Sequence, residues 1–324
     1  MASAEQIKAL LRSHAEGDED LFYSVAMQLA AQAARQGHGR LAQELRELVD
    51  RAKERSTALQ RGPVPLVQPR GELAGILAVT YPKLRLEDMV LEPRTRTKLE
   101  RVLLEYRQQE KLRSHGLTPR RKLLLLGPPG SGKTMTASAL AGELQWPLFT
   151  IQLDGLITKF MGETAAKLRL VFDAISKTRG VYLFDELDAI GARRDSDRDV
   201  GEIRRVLNSF LQFLEQDDSQ SLVVAATNHP DLLDPALFRR FHDTIEYVHP
   251  TDEQAEKLLR AKLGGLGTRR VDWAKAVKEA RGLSYAELAR ACEEAAKEAI
   301  LEDRGDVSTR SLVHSLEDRR SGRR

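Results

Sequence analysis

The sequence predicts an α/β protein: a parallel sheet sandwiched by helices, with an N-terminal helical bundle ahead of it and a C-terminal helical lid domain behind it. Three observations carry that prediction. Between residues 83 and 250, short apolar runs alternate with stretches of helical periodicity, the pattern of a parallel sheet with helices on both faces. One of these runs opens into a glycine-rich turn, and another ends in adjacent carboxylates. On either side of this region the periodicity is helical throughout.

In residues 1–55, apolar side chains recur at helical spacing: Ile7, Leu10 and Leu11, then Leu21, Phe22, Val25 and Leu29, then Leu41, Leu45, Leu48 and Val49. Breaks near Gly17-Asp18 and Gly37-His38-Gly39 divide them into three helices of a small bundle. No residue cluster there suggests chemistry. The bundle is expected to act as an adaptor for a protein substrate or partner, although its apolar faces also serve simply to pack on one another. Residues 56–82 read as a linker, because Gly62, Pro63, Pro65, Pro69 and Gly71 crowd its first part. In residues 83–250, strands are expected at 123–126, 147–153, 180–184, 222–226 and 244–248, with helices at 135–144, 164–175 and 203–214 between them. Residues 251–324 are helical in pattern and form the lid domain, ending in a basic tail.

Lysine and arginine number 51 against 48 aspartates and glutamates, a formal net charge of +3. The chain as a whole therefore carries no field that would gather nucleic acid. Basic stretches at Pro119-Arg120-Arg121-Lys122 and Arg319–Arg324, with a pI near 8.9, leave a local basic patch open. The single cysteine, Cys292, excludes a disulfide framework within the chain and reads as a small apolar residue. The N-terminus lacks the basic flank and apolar run of a secretory signal. No apolar run approaches the ~20 residues that span a bilayer, so no membrane segment and a cytoplasmic setting are expected.

Gly127-Pro128-Pro129-Gly130-Ser131-Gly132-Lys133-Thr134 fits the phosphate-loop pattern at every required position, and it lies between an expected strand and an expected helix. This places the sheet in the P-loop NTPase class. Glycines let backbone N–H groups approach phosphate oxygens with no side chain in the way. The helix N-terminus adds the positive end of its dipole. Lys133 supplies a point charge for the terminal phosphates and Thr134 a hydroxyl ligand for Mg2+; Met135 follows in the first helical turn. Downstream, the apolar run Val181-Tyr182-Leu183-Phe184 ends in Asp185-Glu186-Leu187-Asp188. Strand C-termini line the ligand crevice of a parallel sheet, so Asp185 is the candidate metal holder and Glu186 the candidate group that polarises the attacking water. Asp188 reads equally as an aid to the metal or a neighbouring subunit, or as a solvated carboxylate.

From these motifs onward the sequence resembles the AAA family of ATPases, over roughly residues 83–315. The resemblance implies ATP and Mg2+ as cofactors and a ring-shaped homo-oligomer, a hexamer in the common case. Val223-Val224-Ala225-Ala226-Thr227-Asn228 resembles the family's sensor strand, which implies that Asn228 meets the γ-phosphate or the water. Residues 231–241 resemble the second region of homology, with Arg239 and Arg240 as arginine fingers reaching into a neighbour's site. Many relatives separate these arginines by two residues; here they are adjacent. Gly282-Leu283-Ser284-Tyr285-Ala286-Glu287-Leu288 resembles the lid segment in which Ser284 to Ala286 lie near adenine and ribose. Asp88 and Met89 fall where relatives contact adenine, although Val90 stands where their loop has glycine. Phe160-Met161-Gly162 resembles the pore loop of ring translocases, whose aromatic ring grips extended polypeptide without reading its sequence.

Three functions compete on this core. A protein-remodelling motor is motivated by the pore loop. A nucleic-acid motor or loader is motivated by the basic stretches and would bind with strong salt dependence. An ATP-controlled assembly switch would have no need of Glu186 or of the paired arginines.

Overall fold

The computed structural model describes residues 71–156, 161–188, 200–269, 271–303 and 305–321, together with Ala26, Gln43 and Pro69. Contacts divide the chain into Met1–Pro65 and Leu66–Arg324, and the described elements belong to the second unit. The expected N-terminal bundle therefore lies outside the described residues, apart from Ala26 and Gln43.

Six strands form one sheet: β1 (Leu77–Thr80), β2 (Lys122–Leu126), β3 (Leu148–Ile151), β4 (Val181–Phe184), β5 (Leu222–Thr227) and β6 (Asp243–Glu246), in spatial order β1-β3-β4-β5-β2-β6. The pairings β3–β4, β4–β5, β5–β2 and β2–β6 are parallel. Only β1, among the described strands, runs antiparallel, placing Leu77 opposite Ile151 and Thr80 opposite Leu148. The stretch expected as linker thus contains structure: a 3-10 turn at Gly71–Gly75 and the edge strand β1. Four residues are too few for periodicity to reveal a strand, and the pairing with β3, distant in sequence, decides the matter.

The central strands are buried on both faces, which is why they read as continuous apolar runs rather than alternating ones. Successive side chains still point to opposite faces. Leu124 and Leu126 of β2, Tyr182 and Phe184 of β4, and Val223 and Ala225 of β5 enter one core. Helices α3 (Met161–Lys177) and α4 (Val200–Gln216) contribute Leu168, Phe172, Phe210 and Leu214 to it. Leu123, Leu125, Val181, Leu183 and Val224 enter the other core, together with Leu99, Val102 and Tyr106 of α1 (Pro93–Arg107) and Ala137 and Leu140 of α2 (Lys133–Leu144).

Four helices follow the sheet: α5 (Asp252–Leu263), α6 (Trp273–Ala280), α7 (Tyr285–Leu301) and α8 (Thr309–Ser321). They share a separate apolar core around Leu259, Leu288, Cys292 and Leu312. Burial pushes the Cys292 thiol up to about 12, so it stays protonated and serves as packing. Capping boxes start two of these helices: Thr251 with Gln254 on α5, and Ser284 with Glu287 on α7. Each satisfies two otherwise orphaned N–H groups. No described helix is long and apolar enough to cross a membrane.

Candidate functional site

The C-terminal ends of β2, β4 and β5 are adjacent because these strands are neighbours in the sheet. Three sequence motifs therefore meet at one edge. The chain leaves β2 through Gly127 at φ 148°, where a Cβ would lie 2.5 Å from the Tyr247 carbonyl oxygen. Gly130 and Gly132 also have positive φ, 72° and 102°. Such angles turn the loop around the start of α2 in a way L side chains resist. Pro128 and Pro129 lie between these glycines, and Ser131 is buried beneath the loop.

Lys133 is 6% exposed and directs its ammonium back over the loop. The amine donates to the carbonyl oxygens of Gly127 (2.8 Å) and Pro128 (2.9 Å) and to Asn228 Oδ1 (2.8 Å). Burial lowers its pKa, and the nearby carboxylates of Asp185 and Asp188 oppose that shift. The Thr134 hydroxyl donates to Asp185 Oδ2 at 2.6 Å. The phosphate loop, the end of β4 and the residue after β5 are thus joined directly through side chains. Met135 is exposed beside Thr134.

Glu186 is exposed and has φ 52°, the left-handed region. Holding a non-glycine residue there costs on the order of 1 kcal/mol or more. Two bonds fix the turn: the Glu186 amide donates to Asp185 Oδ1 (3.1 Å), and the Leu187 amide donates to the Ala226 carbonyl (2.8 Å). Asp188 accepts the Thr227 hydroxyl at 2.7 Å, and Thr227 in turn accepts the His229 amide. The three readings of Asp188 do not include this contact: its carboxylate braces the end of β4 against Thr227 of β5.

The lid reaches the loop from the other side. Ser284 caps α7, and the Ala286 amide donates to the Gly130 carbonyl at 3.0 Å. A Cβ on Gly130 would come within 2.7 Å of Ser284 Oγ and 3.0 Å of Ala286 Cβ. Met89 is buried, with its methyl group near Gly132. Asp88 instead turns back on its own 3-10 turn, accepting the Arg85 amide at 2.8 Å.

Beside Ser131 opens a cleft between the sheet and the lid. Val90, Leu91, Tyr247, Val248 and Tyr285 give it apolar and aromatic walls, and Glu92 and Glu246 give it carboxylates. The Tyr285 hydroxyl bonds Gln254 Oε1 at 3.0 Å, which fixes the ring. Burial and the charge of Glu92 raise the Tyr285 pKa. None of these wall residues was picked out in the sequence as a site residue. They come from segments far apart in the chain and carry no motif chemistry; the one available signal was that Tyr285 sits inside the Ser284–Ala286 segment.

Arg239 and Arg240 follow the short helical turn Pro235–Phe238 and are exposed. Arg240 pairs with Glu215 at 3.1 Å. Among the described residues, no hydrogen bond or ion pair joins either guanidinium to the phosphate loop, Asp185 or Asn228. Phe160 lies outside the described residues, as does the charged segment 189–199. Met161 and Gly162 open α3.

A family model described as ATPase family associated with various cellular activities (AAA) matches residues 123–248. The chain is 34% identical over 325 residues to an uncharacterized AAA family ATPase, y4kL, of Sinorhizobium fredii, covering 99% of this chain and 98% of that protein. It is 34% identical over 235 residues to a proteasome-activating nucleotidase of Methanothermobacter thermautotrophicus, covering 70% of this chain and 57% of that relative. With a 26S proteasome regulatory subunit 10B homolog of Arabidopsis thaliana it shares 35% identity over 200 residues, 59% of this chain and 50% of that one. The chain thus spans little more than half the length of the proteasome-related proteins it matches. The end-to-end likeness to an AAA ATPase, on a parallel sheet whose strand ends bring the phosphate loop to Asp185 and Asn228, makes this chain a member of the AAA family, an ATPase that binds and hydrolyses ATP.

Proposed function

We propose that the chain is a ring-forming motor, a homo-oligomer of hexameric order, that remodels or unfolds protein substrates in the cytoplasm by drawing polypeptide through a central pore. The observation that carries this reading is a division of the catalytic set. Lys133, Thr134, Asp185, Glu186 and Asn228 gather at one sheet edge, while Arg239 and Arg240 stand exposed and, among the described residues, make no bond to that set. Exposed arginines of that kind suit the nucleotide site of a neighbouring copy. The likeness to a proteasome-activating nucleotidase and a proteasome regulatory subunit favours protein as the substrate.

ATP hydrolysis supplies the free energy, with Mg2+ neutralising charge on the terminal phosphates. The residues present fit both groups: the Thr134 hydroxyl and Asp185 carboxylate are hard oxygen donors already converged at 2.6 Å, and Mg2+ takes few protein oxygens and keeps several waters. Gly127 to Thr134 would cradle the phosphates, with Met135 behind them. Lys133 would exchange a loop carbonyl for a phosphate oxygen. Glu186 would accept the proton of the attacking water, with Asn228 orienting it. Arg239 and Arg240 would stabilise charge in the neighbour's site, an effect worth about 10³–10⁵ in rate where such fingers act. Met89, Ser284 and Ala286 border the base and ribose region, with Asp88 at its margin.

A nucleic-acid role is disfavoured by the fate of the basic stretch. Arg120 binds Glu105 (2.9 Å) and Asp243 (2.6 Å). Arg121 binds the Ser219 carbonyl, and Lys122 is buried against the carbonyls of Leu214 and Asp217. In the tail, Arg319 pairs with Glu294 and Arg320 with Glu279, while Arg323 and Arg324 lie outside the described residues. Few of these cations remain free for phosphates.

The test is ATP-dependent unfolding of a tagged fluorescent protein. Wild type should unfold it, and Phe160→Ala should hydrolyse ATP without unfolding it. Equal unfolding by that variant would remove Phe160 from the pore.

A further inference from the structure

Thr227 closes β5, the strand between β4 and β2, and is fully buried. A hydroxyl in such a place needs hydrogen-bond partners within the protein. It has two, one on each side. As a donor it reaches Asp188 Oδ1 at 2.7 Å, and as an acceptor it takes the His229 amide at 3.0 Å. The second bond spans two residues and folds the backbone around Asn228 as a side-chain turn. The first bond holds the chain beyond β4, where strand pairing has ended at Phe184 and Ala225. Glu186 lies in that stretch at φ 52°, a conformation that persists only when its surroundings enforce it. The turn is tied ahead of Glu186 by Asp185 Oδ1, which accepts the Glu186 amide. It is tied behind by Ala226 and Thr227, which hold Leu187 and Asp188.

We propose that Thr227 is a positioning residue for hydrolysis: its one hydroxyl sets the backbone of Glu186 and that of Asn228 on a common frame, so that both side chains meet the same attacking water. The proposal rests on the reading of Glu186 as the proton acceptor and Asn228 as the group that orients the water. The Lys133 ammonium also reaches Asn228 Oδ1 (2.8 Å), which ties Asn228 to the phosphate loop but not to Glu186. The Thr227 hydroxyl acts on both segments at once. A reacting group displaced by about 1 Å can lose about 100-fold in rate. The grip on the phosphates lies elsewhere, in Gly127–Thr134, so loss of this hydroxyl lowers kcat and spares KM.

The experiment measures kcat and KM for ATP on the full chain, at a protein concentration where the rate per subunit has levelled off. Thr227→Val keeps the branched shape and the strand preference but removes the hydroxyl. Thr227→Ser keeps the hydroxyl and gives up a methyl from a filled core. Thr227→Val should lower kcat about 10- to 100-fold with KM within about threefold of wild type, and Thr227→Ser should stay within about threefold in both. The reverse order, or equal impairment of the two, would mean that Thr227 only packs, overturning the proposal. Asp188→Ala removes the same hydrogen bond from its other end and reads it even if Thr227→Val does not fold. It should match the kcat loss of Thr227→Val, and the double variant should be no slower than the slower single. A wild-type kcat in Asp188→Ala would also overturn the proposal. Glu186→Gln separates the two levels: if it hydrolyses ATP as wild type does, the reading of Glu186 falls, and Thr227 with it. If Glu186→Gln is inactive while Thr227→Val turns over as wild type, the positioning role alone falls.

Discussion

Lys133 has three N–H donors, and they are shared among the oxygens of Gly127, Pro128 and Asn228 and, at longer range, the Ser131 hydroxyl. Thr134 and Asp185 likewise satisfy each other. The buried Lys133 ammonium thus has hydrogen-bond partners within the protein, which spares the site a buried unpaired charge. Lys133→Ala should weaken ATP binding about 10- to 100-fold or more, measured by titration calorimetry. Glu186→Gln should bind ATP normally and lose about 10²–10⁴ in turnover, because only the proton acceptor is removed. The residues behind both expectations were legible in the sequence, since phosphate and metal chemistry demands particular residue types at a fixed spacing. The bonds that tie Asp188 to Thr227 and Lys133 to Asn228 were not, because they depend on which strands become neighbours. At this scale there is also a pH effect outside the site. His242 Nδ1 accepts the Arg121 amide at 3.1 Å, and burial together with the charges of Lys122 and Arg121 lowers its pKa below 6.5. Between that folded value and about 6.5, the unfolded chain binds more protons than the folded one, so stability rises with pH there and is lost on acidification. Thermal melts between about pH 7 and pH 5 should therefore fall more steeply for wild type than for His242→Asn.

At the scale of elements, the sheet carries the site because its two faces are filled independently. Leu124 and Leu126 pack toward α3 and α4, and Leu123 and Leu125 toward α1 and α2. Leu124→Ala should cost about 2–5 kcal/mol in a denaturant melt, the range for a leucine lost from a filled core. The lid meets the phosphate loop where Gly130 approaches Ser284 and Ala286. Gly130→Ala adds a Cβ at 2.7 Å from Ser284 Oγ on a backbone at φ 72°. It should lower stability by about 1–3 kcal/mol and weaken nucleotide binding, because the lid must move for the methyl to fit. The order of strands and helices was legible from periodicity. The edge strand β1 was not, because only its partner β3 reveals it. The basic run at 120–122 misleads for a related reason: sequence shows its charges but not Glu105, Asp243 and the carbonyls at the end of α4 that absorb them.

On the scale of the whole molecule, the proposed ring leaves each ATP site incomplete without a second copy of the chain. Arg239 and Arg240 are exposed, and Arg240 is held by Glu215 rather than by its own nucleotide site. ATPase rate per subunit should then rise with protein concentration until the ring is assembled. The most direct test mixes two inactive chains, Glu186→Gln and the double variant Arg239→Ala/Arg240→Ala. The first keeps its arginines and the second keeps its glutamate. The mixture should recover turnover, because in the proposed ring an arginine from one copy completes the site of the other. If mixed rings form by sizing and fluorescence transfer yet show no turnover above either chain alone, the arginines do not act between copies and the central claim is contradicted.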